Sequence, residues 1–231
     1  LTAKALGVEL LVHYGHSCLI PVDQTSGVKV LYIFVDIKID PLHFIETIKH
    51  NFASTTKIGL VSTIQFVTTL QAVSIPLKES GYEISIPQFK PLSPGEILGC
   101  TAPFLRCVDV VIYLGDGRFH LEAVMIANPK IAAYRYDPYE KKFTKENYDH
   151  DQMRRIRKQC INDASTAGTF GIIMGTLGRQ GSPLVVEHIE KRLQAQKKQT
   201  VVILLSELFP DKLDLFYNID AFVQIACPRL S

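Results

Sequence analysis

Nine short runs rich in Val, Ile and Leu punctuate the chain, and they constrain its fold more than any other feature. They fall at 9–13, 29–36, 58–62, 83–87, 108–114, 131–136, 171–174, 201–206 and 221–226. Apolar residues that do not alternate with polar ones fit strands covered on both faces. Helical patterns occupy 41–50, 65–78, 145–167 and 183–197 between several of them. Strand, helix and strand in that order make βαβ units, so the expected architecture is α/β with parallel sheets.

At 231 residues the chain is long enough for one large domain or for two to three small α/β units. The charged stretch 140–158, read as helical, is the clearest break, because a fresh strand and helix begin beyond it at Gly171. A weaker echo joins the two sides. GLVSTIQFVTTLQAV has a strand, a short polar turn and a helix, and GIIMGTLGRQGSPLVVEHI repeats that order.

Apolar residues make up 47% of the chain and charged residues 21%, an ordinary globular balance. A net charge of +2 gives no electrostatic case for nucleic acid or an anionic membrane as partner. No apolar run reaches the ~18 residues a membrane span needs, and LTAKALGVELLVHYGHS lacks the layout of a secretory signal. The expected location is cytoplasmic. A start on Leu1 and a stop at Ser231, just after a strand-like run, read as a fragment.

Five cysteines, Cys18, Cys100, Cys107, Cys160 and Cys227, are odd in number and scattered, with no C-x-x-C pair. In such a setting they are thiols or metal ligands rather than a disulfide framework. Cys100 lies in PLSPGEILGCT and Cys227 in IACPRLS, both beside polar turns. Singly, a cysteine after an apolar strand reads as a small buried hydrophobe. Two of them together suit thiolate ligands of an iron–sulfur cluster converging from different units.

Four stretches carry candidate ligand chemistry. In LGDGRFH, Gly115 and Gly117 allow positive φ and close approach of a ligand to backbone amides, with Asp116, Arg118 and His120 alongside. The competing reading is a tight turn capped by Asp116. GTLGRQGSP follows a strand and opens a helix, with Ser182 as N-cap and Pro183 at N1. Thr176, Gly178, Arg179 and Gln180 stand where parallel strands end and ligands bind. STIQF offers Ser62, Thr63 and Gln65 at another strand-to-helix turn, where capping and ligand contact are compatible. HYGHS follows another strand end and presents His13, Tyr14 and His16 in a non-helical turn, with a structural role as the alternative.

HYGHSCLIP, YIFVDIKID, VSTIQF, KPLSPGEILGCT, YLGDGRFHLEAVMIANP, YRYDPY, GTLGRQGSP and IACPRLS together resemble the diphthamide-synthesis family, in particular its catalytic subunit in eukaryotes. The resemblance runs nearly end to end. It implies three similar small α/β domains, each a parallel sheet flanked by helices, here 1–50, 51–150 and 151–231 with the first and last incomplete. It implies a non-classical radical enzyme using a 4Fe-4S cluster and S-adenosylmethionine. Each domain then contributes one cluster cysteine, which places ligands on Cys100 and Cys227, while the first-domain cysteine lies upstream of LTAKALG. Cys18, Cys107 and Cys160 match no ligand position and keep the reading of small buried hydrophobes.

The implied reaction carries the 3-amino-3-carboxypropyl group from S-adenosylmethionine to C2 of a histidine imidazole in translation elongation factor 2. Ser62, Thr63, Gln65, Gly115, Asp116, Gly117, His120, Thr176, Gly178, Arg179 and Gln180 would then cradle S-adenosylmethionine. Expected partners are a companion subunit forming a heterodimer, the elongation factor and an electron-donor protein. With two of three thiolates, the fragment alone is expected to be inactive. The alternatives are the non-catalytic companion subunit, which generally lacks the LGCT ligand, and an unrelated nucleotide-binding α/β module.

Overall fold

The computed structural model describes residues 2–14, 28–90, 92–99, 102–176 and 182–225. The chain divides into two compact units, one running on to Tyr148 and the other beginning at Asp149.

In the first unit, helix α1 (Thr2–Ala5) leads to strands β1 (Leu10–Tyr14) and β2 (Lys29–Ile33), which pair in parallel. Helix α2 (Pro41–Asn51) starts where the Asp40 carboxylate accepts hydrogen bonds from the amides of Leu42 and His43, with Pro41 in the first turn. Next come β3 (Lys57–Ser62), a 3₁₀ turn at Ile64–Phe66, α3 (Val67–Glu79), β4 (Glu83–Ser85), β5 (Val110–Leu114), α4 (Phe119–Ala127), β6 (Ala132–Asp137) and β7 (Lys142–Glu146). The sheet order is β4-β3-β5-β6-β7, parallel throughout except for β7.

Successive residues of a strand point to opposite faces, and here both faces are covered. Ile58, Leu60, Ile112, Leu114 and Tyr136 pack with Phe44, Ile45 and Ile48 of α2 and Leu70, Val73 and Leu77 of α3. Val61, Val111, Tyr113 and Ala133 pack with Leu121, Val124 and Met125 of α4 on the other side. The chain leaves β3 through α3 toward β4 and leaves β5 through α4 toward β6, in opposite directions across the sheet. The point where the direction switches lies between β3 and β5.

The second unit contains α5 (His150–Ser165), β8 (Thr169–Gly175), α6 (Pro183–Ala195), β9 (Gln199–Leu205), α7 (Pro210–Leu213) and β10 (Ala221–Ile225). Its three strands run parallel in the order β10-β8-β9. That order repeats β5-β3-β4, with α6 in the place of α3. The echo between GLVSTIQF and GIIMGTLG is therefore an echo of topology.

The α/β architecture with parallel sheets flanked by helices is present, and most runs became strands within a few residues of the expected ends. The stretch 145–167 did not form one helix. Lys142–Glu146 is instead an antiparallel edge strand, and the helix begins at His150, where the Asp149 carboxylate accepts the amide of Gln152 at 2.8 Å. The reason is in the side chains: Phe143 stacks on Tyr134 at 5.4 Å, and Glu146 takes up Arg118 and Arg135. Helix α4 lay unseen behind the glycine loop, because FHLEAVMIA is apolar on nearly every side and carries no helical period. Cys107 and Cys160 are exposed, not buried hydrophobes: Cys107 holds a turn at φ 56°, and Cys160 lies on α5, which buries no residue. Cys18 is outside the described residues.

Candidate functional site

Open α/β sheets bind ligands outside the carboxyl ends of their strands, at the switch in strand order. Here β3 and β5 end side by side, Ser62 in register with Leu114. Ser62 is fully buried and Thr63 is 2% exposed. The backbone of Ser62 is used up: its amide donates to the Gly95 carbonyl at 2.8 Å, and its carbonyl accepts from Ile97 at 2.9 Å.

The side chains are another matter. Thr63 occupies the N-cap position of the 3₁₀ turn yet makes no side-chain cap, and Ser62 and Gln65 cap nothing either. Ser62 Oγ, Thr63 Oγ1 and Gln65 Oε1 are buried without a well-formed hydrogen bond among the described residues. The Tyr113 phenol lies close to the Thr63 hydroxyl without good alignment. An unsatisfied buried polar group costs ~1–3 kcal/mol, and native cores hold few. Three at one strand end mark a surface shaped for polar contact.

The neighbouring loop comes from β5. Gly115 is required there, since a β-carbon would stand 2.5 Å from the Tyr113 hydroxyl oxygen. Gly117 holds φ 61° and is exposed, as is Asp116. Asp116 is no cap: its carbonyl accepts from the Tyr113 hydroxyl at 3.4 Å, and the N-cap position of α4 is Arg118, which forms no side-chain cap. Burial, and then the charge of Asp116, push the Tyr113 phenol well above its usual range, while the Thr63 hydroxyl pulls the other way.

Arg118 does not reach outward to an anion. Its guanidinium is held by Glu122 at 2.8 Å, by Glu146 at 3.2 Å and by the Asn147 carbonyl at 2.9 Å, tying the loop to β7. His120 sits half-buried in the first turn of α4, its ring edge-on to Phe119 at 5.2 Å. Phe119 in turn fills the space beside Gly99, where a β-carbon would meet its ring at 2.4 Å. Gly99 immediately precedes Cys100, which lies outside the described residues.

In the second unit Thr176 directly follows β8 and donates its amide to the Leu205 carbonyl at 2.9 Å. Gly178, Arg179 and Gln180 lie outside the described residues, as does Cys227, two positions beyond the end of β10. Ser182 is the N-cap residue of α6 with Pro183 at N1, as its sequence suggests, but its hydroxyl makes no capping bond. Gln224 Nε2, three positions before Cys227, is buried without a hydrogen bond among the described residues. In the remaining histidine turn, His13 packs edge-on against Tyr32 at 5.6 Å, and His16 is outside the described residues.

The structure thus brings Ser62, Thr63 and Gln65 together with Gly115, Asp116 and Gly117 at the ends of adjacent strands, while Thr176 belongs to the other unit. Tyr113 and Gln224 escaped the sequence reading. Their only signal was a polar side chain inside an apolar run. Among the described residues, no three His, Cys, Asp or Glu side chains group as metal ligands, and no helix is long and apolar enough to cross a membrane.

A profile of the family described as "Putative diphthamide synthesis protein" matches residues 1–231. Relatives named 2-(3-amino-3-carboxypropyl)histidine synthase subunit 1 are similar along the full chain. The Nematostella vectensis protein is 62% identical over 230 residues, covering 100% of this chain and 49% of its own length. For Gallus gallus the identity is 60%, with 56% of the relative covered, and for Homo sapiens 57%, with 53% covered. The chain spans about half the length of these relatives. The crystal structure of Dph2 from Pyrococcus horikoshii superposes with a TM-score of 0.76 at 28% identity, over 99% of this chain and 66% of that one. A second crystal structure of the same protein, with a 4Fe-4S cluster, superposes equally well at 27% identity.

Proposed function

Because this chain belongs to the diphthamide synthesis protein family, we propose that it forms the S-adenosylmethionine-binding part of the enzyme that begins diphthamide synthesis. The reaction transfers the 3-amino-3-carboxypropyl group of S-adenosylmethionine to C2 of a histidine imidazole in translation elongation factor 2, by a radical route. The relatives' shared name, subunit 1, favours this catalytic subunit over a companion.

One observation carries the reading: the buried Ser62 hydroxyl and Gln65 amide oxygen, without a hydrogen bond among the described residues, beside a glycine loop at the strand-order switch. These groups fit the zwitterionic end of S-adenosylmethionine. Ser62 Oγ and Gln65 Oε1 accept from its ammonium, Thr63 just after β3 and His120 in the first turn of α4 line the same site, and the amides of Asp116 and Gly117 donate to its carboxylate. In the second unit, Thr176, Gly178, Arg179 and Gln180 form the candidate ligand loop, with Arg179 suited to a carboxylate.

Cys100 and Cys227 are assigned as cluster ligands, since thiolates are the donors that iron–sulfur clusters take and a homologous protein has been solved with one. When bound, a 4Fe-4S cluster supplies the single electron needed to cleave the bond between sulfur and the γ-carbon. Two thiolates hold iron weakly, so the chain by itself is proposed to be inactive. The proposed setting is cytoplasmic, in a heterodimer with a companion subunit and served by an electron-donor protein.

Anaerobic reconstitution of the full-length parent with iron and sulfide tests the assignment. Cys100→Ala and Cys227→Ala are expected to abolish the visible absorbance and Cys18→Ala to keep it. Absorbance that survives both of the first two changes would overturn the ligand set. Calorimetry with S-adenosylmethionine tests the rest, since a reconstituted wild type that fails to bind it has no such site.

A further inference from the structure

We propose that Tyr113 is a positioning residue: its buried phenol locks the peptide between Asp116 and Gly117 so that the Gly117 amide faces the ligand. The inference rests on the S-adenosylmethionine reading above. Tyr113 is fully buried beneath the loop that follows its own strand, and its hydroxyl donates to the Asp116 carbonyl. A trans peptide holds its C=O and N–H in opposite directions. Drawing the Asp116 carbonyl inward onto the phenol therefore turns the Gly117 N–H outward, at a residue that is itself exposed and held at φ 61°.

Among the described residues, the amides of Asp116 and Gly117 donate to no backbone carbonyl, which leaves the Gly117 donor available for an anionic group. Two further features frame the phenol. Gly115 has no β-carbon to displace it, and the Thr63 hydroxyl lies near it just beyond the end of β3. The phenol therefore sits where β3 and β5 end side by side, under the loop that it holds. Burial keeps it protonated, hence a donor, across the neutral and mildly alkaline range.

The test compares Tyr113→Phe with Tyr82→Phe in the reconstituted full-length parent. Tyr82 is also buried and donates to a backbone carbonyl, that of Phe52 at 2.8 Å, but packs in the cluster on the opposite face of the sheet. Tyr113→Phe is expected to weaken S-adenosylmethionine binding about three- to tenfold by calorimetry, the loss of one indirect hydrogen bond. KM should rise with kcat unchanged at saturation. Hydrogen exchange in the peptide covering residues 114–119 should quicken without ligand.

Tyr82→Phe should change none of the three. Equal affinities for wild type and Tyr113→Phe would overturn the proposal, as would an equal effect of Tyr82→Phe. A Tyr113→Phe protein that no longer folds by circular dichroism would overturn it too, by making the phenol a determinant of stability rather than of loop geometry. If wild type binds no S-adenosylmethionine while exchange still quickens in Tyr113→Phe, the reading of the site fails and the loop-locking role stands.

Discussion

At Gly115 one missing β-carbon decides the shape of the loop after β5. Gly115→Ala would set a methyl group 2.5 Å from the Tyr113 hydroxyl oxygen in a packed interior. Overpacking of this kind costs ~1–3 kcal/mol, so the variant is expected to melt several degrees below wild type. Asn128 is a second residue whose whole side chain is committed. Its amide donates to the carbonyls of Pro103 and Val124, both at 2.9 Å, and its oxygen accepts the amide of Leu105 at 2.8 Å. Asn128→Ala leaves buried backbone groups unpaired and is expected to cost ~2–4 kcal/mol in denaturant titration, against under 1 kcal/mol for an exposed control such as Gln159→Ala. The glycine loop is conspicuous in the sequence and Asn128 is not, yet neither of these constraints can be read from it. A glycine's void and an asparagine's three bonds are defined by atoms that only folding brings near.

Among the elements, the second unit's central strand is fastened by a single aspartate. The Asp220 carboxylate accepts the amides of Thr169 at 2.8 Å and Gly168 at 2.9 Å, joining the start of β8 to the segment entering β10. Those two amides, and more weakly the charge of Lys198, hold its carboxyl below the usual aspartate range. A folded-state value below the unfolded one means that the stabilisation is complete above the unfolded value and is lost as pH falls through the folded one. The melting temperature of Asp220→Asn should therefore lie below that of wild type near neutrality, and the gap should close on acidification through the aspartate range. A gap that holds constant with pH would show that the charge plays no part. Helix α5 is the contrasting element. It has an Asp149 cap and 16 residues but no buried side chain, and helices draw most of their stability from tertiary packing. Trypsin acting on the native protein is expected to cut first at Arg154, Arg155, Arg157 or Lys158, where local opening costs least, as peptide masses would show.

Across the whole molecule, the pattern of unalternated apolar runs was enough to determine an α/β chain with parallel sheets, because a strand buried on both faces needs no polar side. The glycine loops and the Ser62–Gln65 turn were likewise legible as candidate sites, since glycine, serine and threonine after an apolar run mark the carboxyl end of a strand whatever lies around it. Motif resemblance, not periodicity, pointed to Cys100 and Cys227. What only the tertiary structure decided was which polar groups are spent and which are left. Arg118 looked like an anion-binding side chain until β7, itself misread as helix, was found to supply Glu146, and the residue after it the Asn147 carbonyl, to hold it. Tyr113 looked like one more core residue until its hydroxyl was found beneath the loop. Local sequence records the chemistry that each residue carries and the period of its neighbours. Hydrogen bonds between residues 28 positions apart, such as Arg118 to Glu146, depend on strand order and register, which no short stretch contains.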